Sequence, residues 1–207
     1  MHSEEQAKQV ADELRARIYT ALRDGGLDAA PVLELAALLE EWGVTTPTTQ
    51  ELLNHRITRL PPADLTRLAE GLLSDTRFEP TFALEPRRWE ALEHALEVVK
   101  CDVRTSGITT ALRLSTPDWD GSGHAWVEFQ DGYHGNGIPP AAGADAQGAL
   151  ASVADATQEV IMELIWKAWP VCATHDRGLR VRIKGGLAVW TCTGDGTHTV
   201  APVGELP

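Results

Sequence analysis

The sequence has few cysteines and no long apolar run. Three of its 207 residues are cysteines, an odd and sparse set, whereas small secreted domains use dense and even-numbered disulfide frameworks. The first residues lack the basic start and apolar run of a signal peptide, and no stretch approaches the roughly 18 apolar residues that a membrane span needs. We therefore expect a soluble, cytoplasmic protein with reduced thiols, or with thiolates bound to a metal.

Basic residues are also scarce. The chain has 18 lysines and arginines against 30 aspartates and glutamates, which gives a formal net charge of -12. Because such a surface repels the phosphates of DNA and RNA, general nucleic-acid binding is disfavoured. Hydrophobic residues make up 43% of the chain, enough to fill a core. We expect two folded domains and a protein, rather than a nucleic acid or a membrane, as partner; the oligomeric state stays open.

The first half of the chain has the apolar spacing of helices. Apolar side chains recur at steps of four in Val10, Leu14, Ile18 and Leu22, which predicts a helix over 4–23. Prolines and glycines delimit the helices that follow. Four more are predicted: Pro31–Trp42, Thr46–Leu60, Pro62–Leu73 and one that begins at Glu85–Pro86. Together they form an acidic, all-helical domain over residues 1–104.

From about residue 105 the apolar period changes from near four to two, which is typical of strands. The alternating run Leu179–Lys184, the turn pair Gly185-Gly186 and the return run Leu187–Cys192 predict a β-hairpin. Asp145 is a suitable N-cap for a long helix that Pro170 ends. The other predicted strands are Ile108–Leu114, Ala125–Gln130 and Thr199–Val203. We therefore predict an α+β protein: a bundle of about five helices, then a ββαββ domain over 105–207 with a zinc-ribbon-like C-terminal hairpin.

Three of the seven tryptophans lie close to that hairpin. Trp166 and Trp169 come at the end of the predicted long helix, and Trp190 lies on the return strand. Large aromatic side chains dominate the energetics of cores. We expect all three to pack the helix onto the hairpin.

Two cysteines and two histidines lie near the C-terminal end in a spacing that suggests a metal. Cys172 and His175 are separated by two residues, and Cys192 and His198 by five, with sixteen residues between the pairs. Zinc prefers four thiolate or imidazole ligands in a tetrahedron, and the hairpin would bring the two pairs together. Since four filled positions leave no place for a reacting water, we predict a structural zinc site.

The same four residues are also compatible with structures that hold no zinc. Cys172 and Cys192 could be small buried hydrophobic residues, with His175 and His198 on surface loops. The two cysteines could also form a disulfide, or another ligand set could bind the metal. The spacing is imperfect, because five intervening residues is wider than a usual zinc knuckle. These alternatives stay open at the level of sequence.

The C-terminal half contains the runs Trp169–His175 (Trp-Pro-Val-Cys-Ala-Thr-His), Ala188–Cys192 and Val200–Leu206. In these runs it resembles a group of small, uncharacterised actinobacterial proteins, in which a helix leads into Trp-Pro-x-Cys-x-x-His and a later Trp-x-Cys. The resemblance covers about residues 108–206 and leaves the helical half unmatched. It implies a zinc-ribbon-like ending and carries no activity with it.

Two further groups of residues suggest competing functions. Positive charge is concentrated just beyond the first metal pair, where it would suit a nucleic-acid regulator; the residues are Arg177, Arg180, Arg182 and Lys184. Histidines and carboxylates around a predicted strand could form the acid–base cluster of a hydrolase; these are His124, Glu128, Asp131 and His134. No recognisable nucleophile accompanies the second group. We therefore expect a non-catalytic protein-binding or adaptor protein with a structural zinc ion, and keep the two other functions as alternatives.

Overall fold

The computed structural model describes residues 2–54, 60–194 and 196–207, and only the backbone of residues 2–5. These residues form six α-helices, a short 3-10 helix and eight β-strands in three small antiparallel sheets. The chain divides into two compact units, Met1–Pro80 and Thr81–Pro207. The mixed α+β class and the helical N-terminal region are confirmed. The finer ββαββ order is not, because three strands precede the last helix and five follow it.

In its described residues, the first unit is a bundle of four α-helices. The helices are α1 (His2–Asp24), α2 (Ala29–Glu41), α3 (Pro47–Asn54) and α4 (Pro62–Asp75). Asp28 caps α2 by accepting a hydrogen bond from the amide of Ala30, and a proline lies at the start of α3 and of α4. Each helix contributes apolar side chains to one core. The predicted extension of α3 to Leu60 runs through 55–59, which lie outside the described residues.

The fifth helix, α5 (Pro86–Thr105), belongs to the second unit. It packs against α6 (Ala146–Ile165) and shares one core with that helix and the strands. The sequence pattern groups α5 with the first four helices and puts the boundary at 104/105. An apolar period identifies the buried face of a helix, but it does not identify the element that covers that face.

The N-terminus of α6 is formed as the sequence predicts. The Asp145 carboxylate accepts hydrogen bonds from the amides of Gln147, at 3.0 Å, and Gly148, at 2.8 Å. The helix ends at Ile165, and Trp166 follows with a left-handed backbone, φ 55°. The Trp166 side chain is 86% exposed, so its predicted place in the core is wrong. Because the backbone of Trp166 is left-handed, this residue does not continue the helix, and its side chain does not point to the buried face that the helical period predicts.

The strands form three separate sheets. The first sheet consists of β1 (Leu112–Ser115), β2 (Trp126–Phe129) and β3 (Gly132–Tyr133); the second of β4 (Val171–Cys172) and β5 (Arg177–Gly178); the third of β6 (Arg180–Lys184), β7 (Leu187–Cys192) and β8 (His198–Pro202). Lys184 pairs with Leu187 across Gly185 and Gly186, whose φ angles are 57° and 79°. Positive φ at both positions defines a type I′ turn, which confirms the predicted hairpin.

The core of the second unit contains a pair of tryptophans. Trp169 and Trp190 are 4% and 0% exposed, and their rings meet edge to face at 5.7 Å between centroids. Trp190 lies on β7, so this contact fastens the third sheet to the segment that follows α6. Among the described residues, none of the helices combines the length and the apolar character that crossing a membrane requires.

Candidate metal centre

The four cysteine and histidine residues that the sequence singles out lie together in the second unit. Cys172 ends β4, His175 lies in the turn between β4 and β5, Cys192 ends β7, and His198 begins β8. Their candidate ligand atoms all lie within 4.8 Å of one another. In the part of the chain that the structure describes, no other group of three or more cysteine, histidine or acidic side chains converges in this way.

Three sulfur–nitrogen separations in this group match those of a tetrahedral metal site. Zn–S bonds of about 2.3 Å and Zn–N bonds of about 2.05 Å at the tetrahedral angle put sulfur and nitrogen about 3.6 Å apart. Cys172 Sγ lies 3.6 Å from His175 Nδ1 and 3.7 Å from His198 Nε2. Cys192 Sγ lies 3.6 Å from His175 Nδ1. The four side chains could therefore hold one metal ion with little rearrangement.

The first pair is held by a tight turn. The amide of Asp176 donates to the carbonyl of Cys172 at 2.8 Å, which closes the loop between β4 and β5. Burial raises the pKa of the Cys172 thiol. Hydrogen bonds to its sulfur outweigh burial and lower that pKa from 9.0 to about 6, with the backbone amide and the ring of His175, the amide of Thr174 and the Cys192 thiol as partners. These contacts favour the thiolate, which is the form that binds metals.

The second pair is not a knuckle but a cross-strand pair. Cys192 on β7 is directly opposite His198 on β8 in the sheet register. Side chains that face each other across antiparallel strands have Cβ atoms about 4.5–5.5 Å apart, close enough for both to reach one ion. The five-residue spacing, which looks too wide for a knuckle, is thus the length of the loop joining two paired strands. The amide of Gly194 also donates to Cys192 Sγ at 3.3 Å.

Gly194 brings the two halves of the site into contact. A Cβ atom at this position would lie 2.7 Å from Cγ and 3.1 Å from Nδ1 of the His175 ring. The absence of a side chain at Gly194 therefore lets the second loop pack directly on the ring of a residue from the first turn. Gly196 instead has φ +86°, and a Cβ added there would have nothing within 4 Å, so its role is in the backbone of the loop.

The burial of the four residues separates the alternatives that the sequence left open. Both cysteines are buried, at 2% and 0% exposure, as a role as small hydrophobic residues requires. The histidines, however, are half-buried and direct ring nitrogens at the sulfurs, which surface loop residues would not do. Cys172 and Cys192 are free thiols here, as is the exposed Cys101.

The basic residues of the hairpin lie beside the metal group without being part of it. Arg177 is on β5, and Arg180, Arg182 and Lys184 alternate along β6 with their side chains exposed. Lys184 Nζ donates to Thr199 Oγ1 at 3.3 Å. The three arginines line a groove whose opposite wall is acidic. They therefore do not form an open basic surface.

The four residues of the hydrolase alternative do not form a joint cluster. The Glu128 carboxylate is 5% exposed and accepts hydrogen bonds from Arg113 Nε, at 2.8 Å, and from the Tyr133 hydroxyl, at 2.6 Å. Asp131 lies in the turn between β2 and β3 with φ 58°. No hydrogen bond among the described residues joins any two of the four, the other two being His124 and His134. An acid–base reaction would need such a joint position.

A buried carboxylate, which the sequence does not single out, fastens the C-terminal tail. Asp102 on α5 is 0% exposed. It accepts hydrogen bonds from Trp190 Nε1 at 2.7 Å and from the amides of Gly204 and Leu206 at 2.7 and 2.8 Å. The only signal in the sequence is an acidic residue on the apolar face of a helix, three positions from the buried Val99. Its partners lie about 90–100 residues away in the chain, so no local pattern could have identified them.

Comparison of the chain with protein-family models, with curated proteins and with solved structures finds no match. No relative therefore lends this chain a family, an activity or a partner. The resemblance to the actinobacterial group stays a prediction. What the geometry defines is an α+β protein with a Cys2His2 group that could bind a metal ion.

Proposed function

We propose that this protein is a non-catalytic binding or adaptor protein whose C-terminal region is held together by a structural zinc ion. The observation that carries the proposal is the approach of two sulfurs and two ring nitrogens to within 4.8 Å of one another. Two thiolates and two imidazoles in a tetrahedron suit Zn²⁺, whereas Ca²⁺ and Mg²⁺ require oxygen ligands. The ligands come from the second and the third sheet, so the ion would cross-link two sheets that are small on their own.

The donor set supports a structural rather than a catalytic ion. Catalytic zinc sites use three protein ligands and keep the fourth position for water or substrate. Here four protein side chains converge, and the two sulfurs are buried. A Zn²⁺ ion with those four ligands has no free tetrahedral position. We therefore assign the ion a role in holding β4–β5 against β7–β8.

The binding role is supported by apolar side chains at the surface of the same unit. Trp166 is 86% exposed and Met162, one helical turn before it, is 40% exposed; Val171, on β4, is 42% exposed. Large exposed aromatic residues are enriched among the residues that dominate binding energy at protein interfaces. A nucleic-acid role has weaker support, because the arginines that would contact phosphate share a groove with three acidic side chains.

Elemental analysis of the purified full-length chain tests the metal. We expect zinc at one equivalent, and we expect its removal by a chelator to change the circular dichroism of the β-strands. Cys172→Ser should abolish stoichiometric zinc, whereas the matched change at the exposed Cys101, Cys101→Ser, should not. His198→Ala and His134→Ala form a second such pair. A wild-type protein that binds no zinc near neutral pH would end the proposal.

A further inference from the structure

A groove in the second unit lies next to the candidate metal centre. It encloses about 630 Å³, within the range of about 300–1,000 Å³ that small-molecule sites occupy. One wall is α6 and the other is formed by β5 and β6. Thr193, which follows the metal-site residue Cys192, also lines the groove. Neither the metal site nor the hydrolase or nucleic-acid alternative uses this groove as a whole.

The α6 wall is acidic. Asp155, Glu159 and Glu163 succeed one another at steps of four and therefore share one face of the helix. Glu159 is held against the loop of Gly135, because its Oε2 accepts a hydrogen bond from the amide of Asn136 at 3.2 Å and a Cβ at Gly135 would lie against it. Asp155 and Glu163 have no hydrogen-bond or ion-pair partner among the described residues. Their charges are directed to the groove or to solvent.

The opposite wall is basic. Arg177, Arg180 and Arg182 line it, and none of them forms an ion pair with a carboxylate in the described part of the chain. Arg113 and Glu128 elsewhere in this unit do form such a pair in direct contact. The arginines and the acidic side chains of the groove are thus too far apart to form direct ion pairs with one another. A bound molecule could pair with both walls at once.

Between the walls, Gln158 presents a fixed acceptor. Its side chain is buried to more than nine-tenths, and its Nε2 donates to the carbonyls of Trp169 and Leu179, both at 2.7 Å. These two bonds fix the orientation of the amide. Its Oε1 has no partner among the described residues, although Gln158 lines the groove. This oxygen belongs to a mostly buried, fixed side chain and can therefore accept a hydrogen bond from a ligand in the groove.

We propose that this groove binds a zwitterionic short peptide. Its carboxylate pairs with the arginines of β5 and β6, its ammonium group pairs with Asp155 and Glu163, and a main-chain N–H donates to Gln158 Oε1. The exposed Met162 at the rim offers an apolar contact for a side chain. A polyanion is repelled by the acidic wall and a polycation by the arginines, so a molecule with both charges is the best complement. This inference rests on the proposed binding role and names its ligand; it does not depend on the metal.

The test uses the full-length, zinc-analysed protein and the tripeptide Ala-Leu-Ala in four forms: free, N-acetylated, C-amidated and blocked at both ends. Binding is measured by calorimetry and by amide shifts in NMR spectra. We expect the free tripeptide to bind, and each single block to weaken binding about tenfold, because one charged contact is removed. Arg180→Gln and Asp155→Asn should weaken binding similarly. Arg87→Gln and Glu90→Gln, which change exposed charges on α5, serve as matched controls and should not.

Three outcomes would overturn the proposal. These are no binding of the free tripeptide at roughly 5 mM, equal binding of the blocked and the free forms, and tighter binding of a single-stranded oligonucleotide than of any tripeptide. Zinc content is recorded on the same samples. A protein with one equivalent of zinc and no tripeptide binding refutes the ligand and leaves the metal assignment intact. Tripeptide binding by a protein that contains no zinc refutes the metal assignment and leaves the proposed ligand intact.

Discussion

The contact between Gly194 and the His175 ring yields the sharpest test of the metal geometry, because it perturbs the site without removing a ligand. In Gly194→Ala the new Cβ would lie 2.7 Å from His175 Cγ, and ordinary contacts begin near 3.4 Å, so ring and loop must separate by about 0.7 Å. Metal–ligand distances tolerate only about 0.2 Å. The ring nitrogen, or Cys192 at the end of β7 directly before this loop, must therefore leave ideal coordination.

The magnitude follows from the affinity of structural zinc sites. Apparent binding free energies of about 10–16 kcal/mol, shared among four ligands, give roughly 3 kcal/mol for each. Weakening one ligand should thus cost up to about a hundredfold in zinc affinity. Competition with a chromophoric chelator measures this, and the absorption bands of the Co²⁺-substituted protein report whether both thiolates and both imidazoles still bind.

Gly196→Ala is the matched control. Its φ of +86° strains an alanine, but nothing lies within 4 Å of the added Cβ. We expect a loss of about 1 kcal/mol, or roughly fivefold in zinc affinity, from backbone strain alone. Zinc affinity in Gly194→Ala equal to that of the wild type, or a larger loss in Gly196→Ala than in Gly194→Ala, would refute the assigned packing of the loop on His175.

Three further substitutions test the second unit by chemical unfolding. Asp102→Asn should lower the free energy of unfolding by about 2–4 kcal/mol, because an amide replaces a buried carboxylate that accepts three hydrogen bonds. The control Asp118→Asn, at an exposed site, should change the free energy of unfolding little. Equal effects of the two substitutions would contradict the role of Asp102. Thr157→Val should be neutral or stabilising by about 1 kcal/mol, because the buried Thr157 Oγ1 has no described partner, and a clear loss would show that it has one. The Arg113 guanidinium, followed by the Tyr133 hydroxyl, lowers the pKa of Glu128 below its ordinary 4.5. The stability from this shift is complete above pH 4.5 and is lost as the pH falls through the lower folded value, so Glu128→Gln should destabilise at pH 7 and progressively less in acid; a pH-independent difference would contradict this.

The features that the sequence predicted correctly depend on neighbouring residues. A positive φ is easiest for glycine, so Gly185-Gly186 between two alternating runs is sufficient to predict the hairpin and its register. A carboxylate before an apolar helical period likewise predicts the Asp145 cap, because its partners are the next two or three amides. The approach of the two ligand pairs could be predicted for the same reason, since a hairpin of known length fixes where its two ends meet.

The features that the sequence did not predict depend on distant partners. The two-residue strands β4 and β5 are too short to show an alternating apolar pattern. They form because a hydrogen bond from the amide of Asp176 to the carbonyl of Cys172 closes the turn between them. The packing of α5 with α6 is likewise not encoded in the apolar face of α5, which does not identify the element that covers it. The groove likewise joins residues of α6 with residues of β5 and β6. In the sequence its acidic and basic residues therefore appear as two separate patterns, and nothing local shows that they face one groove.

The candidate metal centre and the groove share structural elements, and this predicts that their ligands affect each other. Arg177 of the groove is the register partner of Cys172, and Thr193 of the groove directly follows Cys192. A metal ion that fixes both cysteines also fixes the neighbouring Arg177 and Thr193. Because these residues are then already ordered, peptide binding in the groove costs less conformational entropy. By linkage, a bound tripeptide must raise zinc affinity by the same factor by which zinc raises tripeptide affinity. Titrating zinc with and without tripeptide, and tripeptide with and without zinc, measures this factor in both directions. Zinc affinity and tripeptide affinity that are each unchanged by the other ligand would contradict coupling through these strands.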